Sequence, residues 1–264
     1  MQIITLTTDF GDKDAYVGII KGVICNIYPY AKIVDVTHNV PPQDIWHANF
    51  IIENIYSFYP HKTIHLCVVD PGVGSKRKPI LIETKNYYFI GPNNGSFTSA
   101  LEKEELINIV ELTEQKYWLA DHKGQVNPSR TFHGRDIFSP IAANLAKGTK
   151  AQDLGTPITK EELVMLPISK FEQNGKSCIG SIKYIDHFGN MITNIPDSII
   201  SGNIKGKVKG SSFKGLISSY AESKPNELSA IKSSNGYVEL FMYKGNIGTN
   251  IEAPIEFIRT IKIK

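Results

Sequence analysis

The spacing of apolar residues changes character near Lys170, and that change constrains the fold of this 264-residue chain more than any other feature. Before it, strand-sized apolar runs alternate with segments of helical period. Ile3–Thr8 is such a run, ending in Asp9-Phe10-Gly11. Residues 14–28 carry a helical pattern that stops at Pro29. A second strand is expected at 33–36. Pro41-Pro42-Gln43-Asp44 then opens a helix whose apolar residues Ile45, Ala48, Ile52, Ile55 and Tyr56 share one face of a 3.6-residue repeat. Further strands are expected at 63–69, 79–83 and 87–90, and helices near 97–102 and 135–146. This βαβ rhythm predicts an α/β domain, a mainly parallel sheet sandwiched between helices.

Beyond Lys170 the helical period is lost. Residues 171–176 are polar and turn-like, as expected of a linker. Short alternating runs follow at 179–185, 191–195, 204–209, 236–242 and 255–263, broken by Gly, Asn and Ser. They predict a smaller C-terminal domain of antiparallel β structure, barrel-like in form. The expected organisation is an α/β domain over residues 1–168, a linker over 169–176 and a β-rich domain over 177–264.

Composition removes several function classes. With 41% hydrophobic and 21% charged residues, the chain can bury a sizeable core and is not disordered. No apolar run approaches the roughly 20 residues of a membrane span. Cys25, Cys67 and Cys178 are odd in number and far apart, unlike a disulfide framework or a zinc site. A net charge of +3 does not imply a nucleic-acid partner, and Lys205, Lys207 and Lys209 alternate like the wet face of a strand. No secretory pattern precedes the first strand. The expectation is a soluble, reduced, cytoplasmic protein with neither nucleic-acid nor membrane partners.

Open parallel sheets bind ligands outside the carboxyl ends of their strands. Asp9 and Asp70 stand at two such ends, and Gly91-Pro-Asn-Asn94-Gly95 at a third. Either aspartate alone would equally suit a turn or a helix cap. Gly72-Val-Gly74 lacks the third glycine of a dinucleotide fingerprint, and Gly74-Ser-Lys76 is no phosphate-binding loop. Asp9-Phe-Gly-Asp12-Lys-Asp14 could hold Mg²⁺, but Asp12 or Asp14 capping a helix is the plainer reading. His61 and His65 read as surface histidines; Tyr16 and Trp46 read as core aromatics. There remain Asp70, Arg77 at the end of a Gly-rich loop, and His133 in Thr131-Phe-His-Gly-Arg-Asp136. By spacing alone Arg77 could be a solvated charge and His133 a cap.

Five segments in order resemble one family. They are Thr7-Thr-Asp-Phe-Gly11, Asp70-Pro-Gly-Val-Gly74 with Arg77, Gly91-Pro-Asn-Asn-Gly95, Thr131-Phe-His-Gly-Arg-Asp136 and Ile185-Asp-His-Phe-Gly-Asn190 continuing to Ile195. The chain resembles the S-adenosyl-L-methionine (SAM) hydroxide adenosyltransferases, or SAM hydrolases, relatives of the SAM-dependent fluorinase and chlorinase. The resemblance implies hydrolysis of SAM to adenosine and L-methionine by water attacking ribose C5′, without a metal or other cofactor. It implies a homotrimer with active sites between subunits.

The resemblance places catalysis on Asp70, Arg77 and His133, a set the halogenases do not carry. An ionised Asp70 would repel a halide at contact range, whereas water needs a proton acceptor and a neighbouring positive charge. It also implies substrate contacts: Asp9 on the ribose hydroxyls, Asn190 on the adenine edge, Phe188 and Tyr220 on apolar faces, and Asn94 at the third strand end. Asp14, Asp186 and Ser234 would meet the methionine end. Gln43 stands where the fluorinase has a tryptophan against adenosine, and Asn235 where it has an arginine. The competing readings are a halogenase-like enzyme, a non-catalytic SAM or adenosine-binding module, and a metal-dependent hydrolase built on residues 9–14.

Overall fold

A computed structural model describes residues 2–175, 177–200, 204–208, 211–245 and 261–263. The chain divides into two compact units, Met1–Leu166 and Pro167–Lys264.

The first unit is built on seven strands: β1 (Ile3–Thr8), β2 (Lys32–Thr37), β3 (Ile64–Val68), β4 (Pro79–Thr84), β5 (Tyr88–Pro92), β6 (Leu106–Glu111) and β7 (Thr156–Pro157), in the order β2-β1-β3-β5-β4-β6-β7. Burial on both faces explains the near-continuous apolar character of the central strands β3, β4 and β5. In β3, Ile64, Leu66 and Val68 enter one core while Cys67 and the following Val69 enter the other. β4 alternates likewise, Leu81 against Ile80 and Ile82. The first core is closed by helices α1 (Tyr16–Ile27) and α4 (Ser139–Lys147), the second by α2 (Ile45–Ile55) and the short α3 (Thr98–Leu101).

The sheet is mixed rather than mainly parallel. β2, β1, β3 and β5 run parallel, but β4 pairs antiparallel with β5 and β6, and β6 with β7. The cause is the tight connection after Thr84, closed by Thr84 N–H to Tyr87 C=O at 2.9 Å. A parallel crossover needs a dozen or more residues, so this connection can only make a hairpin.

Other expectations need correcting in this unit. His65 is fully buried, its Nδ1 2.9 Å from Thr5 Oγ1 and its ring among Tyr56, Tyr59, Tyr87 and Phe89, while His61 is exposed. Tyr16 and Trp46 are 46% and 41% exposed rather than core. Neither Asp12 nor Asp14 caps α1, whose N-cap is Ala15; Asp12 accepts from Asn39 Nδ2 at 3.0 Å, and Asp14 is exposed. Asp44 does cap α2, accepting from His47 N–H at 2.9 Å. The helix expected over 135–146 opens with a π-helical turn, Gly134–Phe138, before α4.

The second unit has ten strands: β8 (Glu172–Asn174), β9 (Ser177–Gly180), β10 (Ile182–Ile185), β11 (Met191–Pro196), β12 (Lys205–Val208), β13 (Ser211–Lys214), β14 (Leu216–Ile217), β15 (Leu228–Lys232), β16 (Tyr237–Met242) and β17 (Ile261–Ile263). They form two five-stranded sheets, β10-β11-β16-β15-β14 and β13-β12-β17-β9-β8, rather than a closed barrel among the described residues. Both contribute to one apolar core, with Met191, Ala230 and Leu240 from the first meeting Cys178, Val208 and Ile263 from the second. The pairing is antiparallel apart from β14 with β15. The run 179–185 is two strands in different sheets. Its break is Ser181, whose N–H donates to Asn194 Oδ1 at 2.8 Å and whose C=O accepts from Asn194 N–H at 2.9 Å. The stretch expected to be a linker contains β8, paired with β9. Lys205 and Lys207 lie on the exposed face of β12 as expected; Lys209 and residues 255–260 fall outside the described residues.

Candidate active site

Parallel pairing of β1 with β3 sets Thr8 beside Val68, so Asp9 and Asp70 leave the sheet at one edge. They line a cleft of about 370 Å³, within the range of small-ligand sites. One wall is aromatic: Phe10, Tyr16 and Phe132 meet with ring centroids 5.2 to 5.8 Å apart. Gln43, Pro71 and His133 also line the cleft.

Asp70, Arg77 and His133 form one hydrogen-bonded set. The loop Asp70-Pro-Gly-Val-Gly-Ser-Lys-Arg77 folds back, and Arg77 grips Asp70 as a fork, Nε to Oδ1 at 2.9 Å and Nη2 to Oδ2. Gly74 adopts φ +74° and packs on the Arg130 carbonyl so closely that a Cβ would lie 2.3 Å from that oxygen. The ion pair is nearly dry, the two side chains being 9% and 7% exposed. Arg77 Nη2 also lies 2.7 Å from His133 Nδ1, and Nη1 is buried with no acceptor among the described residues.

This geometry fixes the histidine tautomer. A guanidinium only donates, so His133 Nδ1 must accept, and a neutral ring then carries its proton on Nε2. Burial, with the Arg77 charge as a second cause, holds the His133 pKa below its ordinary 6.5. The imidazole is therefore neutral and presents a donor. The π turn beginning at Gly134 holds it there: Asp136 accepts from Ser129 N–H at 2.7 Å and from Arg135 Nε at 2.6 Å, and Ser139 Oγ bonds Gly134 C=O at 2.7 Å.

Asp9 is held differently. Its Oδ2 accepts the backbone N–H of Gln43 at 2.8 Å, leaving Oδ1 for a ligand. Burial, offset by that N–H and reinforced by the Asp70 charge, raises its pKa above 3.8. Gln43 has φ +67°, a left-handed conformation that costs a non-glycine residue about 1–2 kcal/mol. No local signal in the sequence marks it. Cys67, buried one strand away, is pushed up to about 12 by burial and stays a thiol, so it offers no thiolate nucleophile.

The remaining candidates divide. Asn94 does not line the cleft: its Nδ2 donates to Val69 C=O at 2.9 Å and its Oδ1 accepts from Ser96 Oγ at 2.6 Å. Asp14 has no hydrogen bond to the set above. Within the second unit, Asp186 spends both oxygens on its own turn, Oδ1 on Phe188 N–H and Asn190 N–H at 2.9 and 2.8 Å, and Oδ2 on Asn190 Nδ2 at 3.0 Å. The turn leaves Asn190 Oδ1 as an acceptor and presents Phe188, 73% exposed. Tyr220 donates to Glu239 Oε1 at 2.7 Å and packs edge-on against Phe241. Glu239 is a buried carboxylate, its pKa raised by burial, that the sequence did not mark out. Ser234 is exposed in the β15–β16 turn, where Asn235 accepts from Ser233 Oγ.

Comparison with known proteins assigns the chain. Residues 4–155 match the SAM hydroxide adenosyltransferase N-terminal domain and 180–255 the C-terminal domain. The chain belongs to the SAM hydroxide adenosyltransferase family. It is 35% identical over 263 residues to an (R)-S-adenosyl-L-methionine hydrolase of Methanocaldococcus jannaschii, covering 93% of this chain and 90% of that one. A fluorinase of Actinoplanes sp. is 28% identical over 218 residues, covering 73% and 71%. The fold matches a solved conserved protein of Thermotoga maritima with a TM-score of 0.88 at 31% identity, over 98% of this chain and 99% of that one. Within this adenosyltransferase fold Asp70 and His133 line the cleft where β1 and β3 end, and Arg77 bonds both.

Proposed function

We propose that this protein hydrolyses SAM to adenosine and L-methionine, with water attacking ribose C5′ in line with the sulfonium. The observation that carries the reading is Asp70 and His133 lining the cleft with Arg77 bonded to both from behind: one acceptor carboxylate, one fixed donor and a buried cation. Asp70 is the acceptor for the water proton, because the His133 Nδ1 lone pair is already engaged by Arg77 and Nε2 bears a proton. His133 Nε2–H is the donor that holds the oxygen as charge develops on it, and the buried Arg77 charge behind Asp70 and His133 adds electrostatic stabilisation. Proton loss to Asp70 accompanies C5′–O bond formation, as the oxygen becomes acidic only once it bonds carbon.

As the C5′–O bond forms, the C5′–S pair returns to sulfur. The leaving group is a neutral thioether and needs no acid. The water proton passes to Asp70 and then to solvent. Opposite charges vanish along this path, so replacing bulk water with fixed dipoles favours it, and in-line positioning supplies several kcal/mol more. Asp9 Oδ1 accepts from the ribose hydroxyls while Gln43 N–H keeps the carboxylate oriented.

The second unit contributes Asn190 to the adenine edge and Phe188 and Tyr220 to apolar contact. Asp14 and Ser234 are assigned to the methionine end, together with Asp186 and Asn235. The assembly implied is a homotrimer with sites at subunit interfaces, acting in the cytoplasm. Light scattering should return three times the 29.4 kDa chain mass; an active monomer would remove that part. For the reaction, purified protein is incubated with SAM, with and without chloride, and the products are identified by mass spectrometry. Adenosine and methionine in both arms are expected; a chlorinated nucleoside, or SAM bound but unchanged, would overturn the assignment.

A further inference from the structure

The Gly91-Pro-Asn-Asn-Gly95 segment is explained residue by residue once its neighbours are known. A Cβ on Gly91 would lie 2.4 Å from the Cys67 carbonyl oxygen, so only glycine lets β5 run this close to β3. Asn93 clasps the chain at 162–164, its Nδ2 donating to Glu162 C=O and its Oδ1 accepting from Val164 N–H, both at 2.8 Å. Gly95, at φ +98°, gives way to Leu166.

Asn94 is the member with a bearing on catalysis. In the parallel ladder Tyr88 N–H bonds Thr63 C=O, and Ile64, His65 and Leu66 face Tyr88, Phe89 and Ile90. The same stagger, carried forward two residues at a time, aims position 92 at Cys67 C=O and position 94 at Val69 C=O. Position 92 is a proline and has no N–H to give. Beyond it the backbone turns away, and Asn94 N–H bonds Pro92 C=O instead. The ladder should fail here, three residues short of Asp70. Instead the Asn94 side chain supplies the donor its backbone has withdrawn, Nδ2 to Val69 C=O at 2.9 Å. Ser96 fixes the amide the right way round, donating to Oδ1 from Oγ at 2.6 Å and from its backbone N–H at 3.2 Å. Val69 is fully buried, so no water can replace this bond from outside.

We propose that Asn94 is a positioning residue for Asp70, acting through the Val69 carbonyl, and that it is not a substrate contact. The inference rests on the reading of Asp70 as the acceptor for the water proton. It assigns the asparagine a kinetic signature opposite to that of a binding residue. Loss of the amide donor frees the peptide from which Asp70 projects, and near-attack geometry is sensitive to displacements of about an ångström.

The test compares Asn94→Asp, Ser96→Ala and Asn93→Ala with wild type, measuring kcat and KM for SAM, the Kd for adenosine by calorimetry, and Tm. Asn94→Asp keeps the shape and the acceptor for Ser96 but cannot donate to Val69. It should lose roughly 10–100-fold in kcat, with KM and adenosine Kd within about twofold of wild type. Ser96→Ala, which only loosens the amide, should shift kcat in the same direction by less and keeps the test open if Asn94→Asp does not fold. Asn93→Ala loses two equally good bonds and should lower Tm while sparing kcat, which separates positioning from general loosening. A tenfold rise in adenosine Kd with kcat preserved would make Asn94 a substrate contact. Equal kcat losses in Asn93→Ala and Asn94→Asp would make it a merely structural residue. Either result overturns the inference while wild-type hydrolysis stands; a wild type that releases no adenosine overturns the parent reading and this one with it.

Discussion

Arg77→Met isolates what the buried fork contributes. Methionine keeps an apolar stem where the guanidinium now lies 5.2 Å over Phe138, so the packing loss is small. What goes is the partner of Asp70. Both side chains are more than nine-tenths buried, and removing one member of such a pair leaves a dry, uncompensated carboxylate, at about 3–5 kcal/mol. For a unit of this size each kcal/mol lowers Tm by about 2–4 °C, so the variant should melt roughly 10 °C below wild type. Asp70→Asn/Arg77→Met removes the stranded charge and should melt above Arg77→Met alone.

The difference should also depend on pH. His133 is held below 6.5 by burial and by Arg77, so the unfolded chain takes its proton first, and wild type loses stability as pH falls through 6.5. Without Arg77 the attraction of Asp70 remains, the His133 pKa rises, and a protonated imidazole can partner the carboxylate. The gap between wild type and Arg77→Met should therefore narrow from pH 8 to pH 5.5 in urea denaturation. A variant within about 2 °C of wild type, a double mutant worse than the single, or a gap that widens on acidification would each refute the reasoning.

In the proposed role Asp9 must be ionised to accept from the ribose, and its pKa stands above 3.8, so KM for SAM should begin to rise at a pH above that value as acid is added. Asp9→Asn should weaken adenosine binding by roughly 10–100-fold and flatten that dependence, as titration calorimetry can check. Asp70→Asn/His133→Ala should lose little more kcat than the worse single variant, because the groups act on one oxygen; a multiplicative loss would separate their roles. His65, held down to about 3 by burial, stays neutral where the unfolded chain is protonated. It should cost roughly 1.4 kcal/mol of stability per pH unit below 6.5, and His65→Gln should show a shallower acid transition.

The parts legible in the sequence are those written in local periodicity. Ile3–Thr8 and the residues around Ile64–Val68 read as buried strands because both faces are covered, and from that Asp9 and Asp70 fall at one sheet edge. What failed depends on distant partners. His65 sits at a strand start like a surface residue, yet Thr5 and three tyrosines enclose it. The β4–β5 hairpin was legible in principle, since too few residues separate the strands for a crossover. The switch at Ser181 depends on Asn194, a side chain thirteen residues away. Gln43 φ, the Asn94 bond to Val69 and the burial of Glu239 leave no trace in spacing or composition. The residues proposed for catalysis could be named from resemblance, but the contacts among them could not. That Arg77 engages Nδ1 of His133, the contact on which the proposal of Asp70 as acceptor rests, comes from the geometry alone.

The most direct measurement is to run the reaction in ¹⁸O-water and locate the label by mass spectrometry. Attack at C5′ by water held between Asp70 and His133 places one ¹⁸O on the 5′-hydroxyl of adenosine and none on methionine. Unlabelled adenosine, or label in methionine, would contradict it.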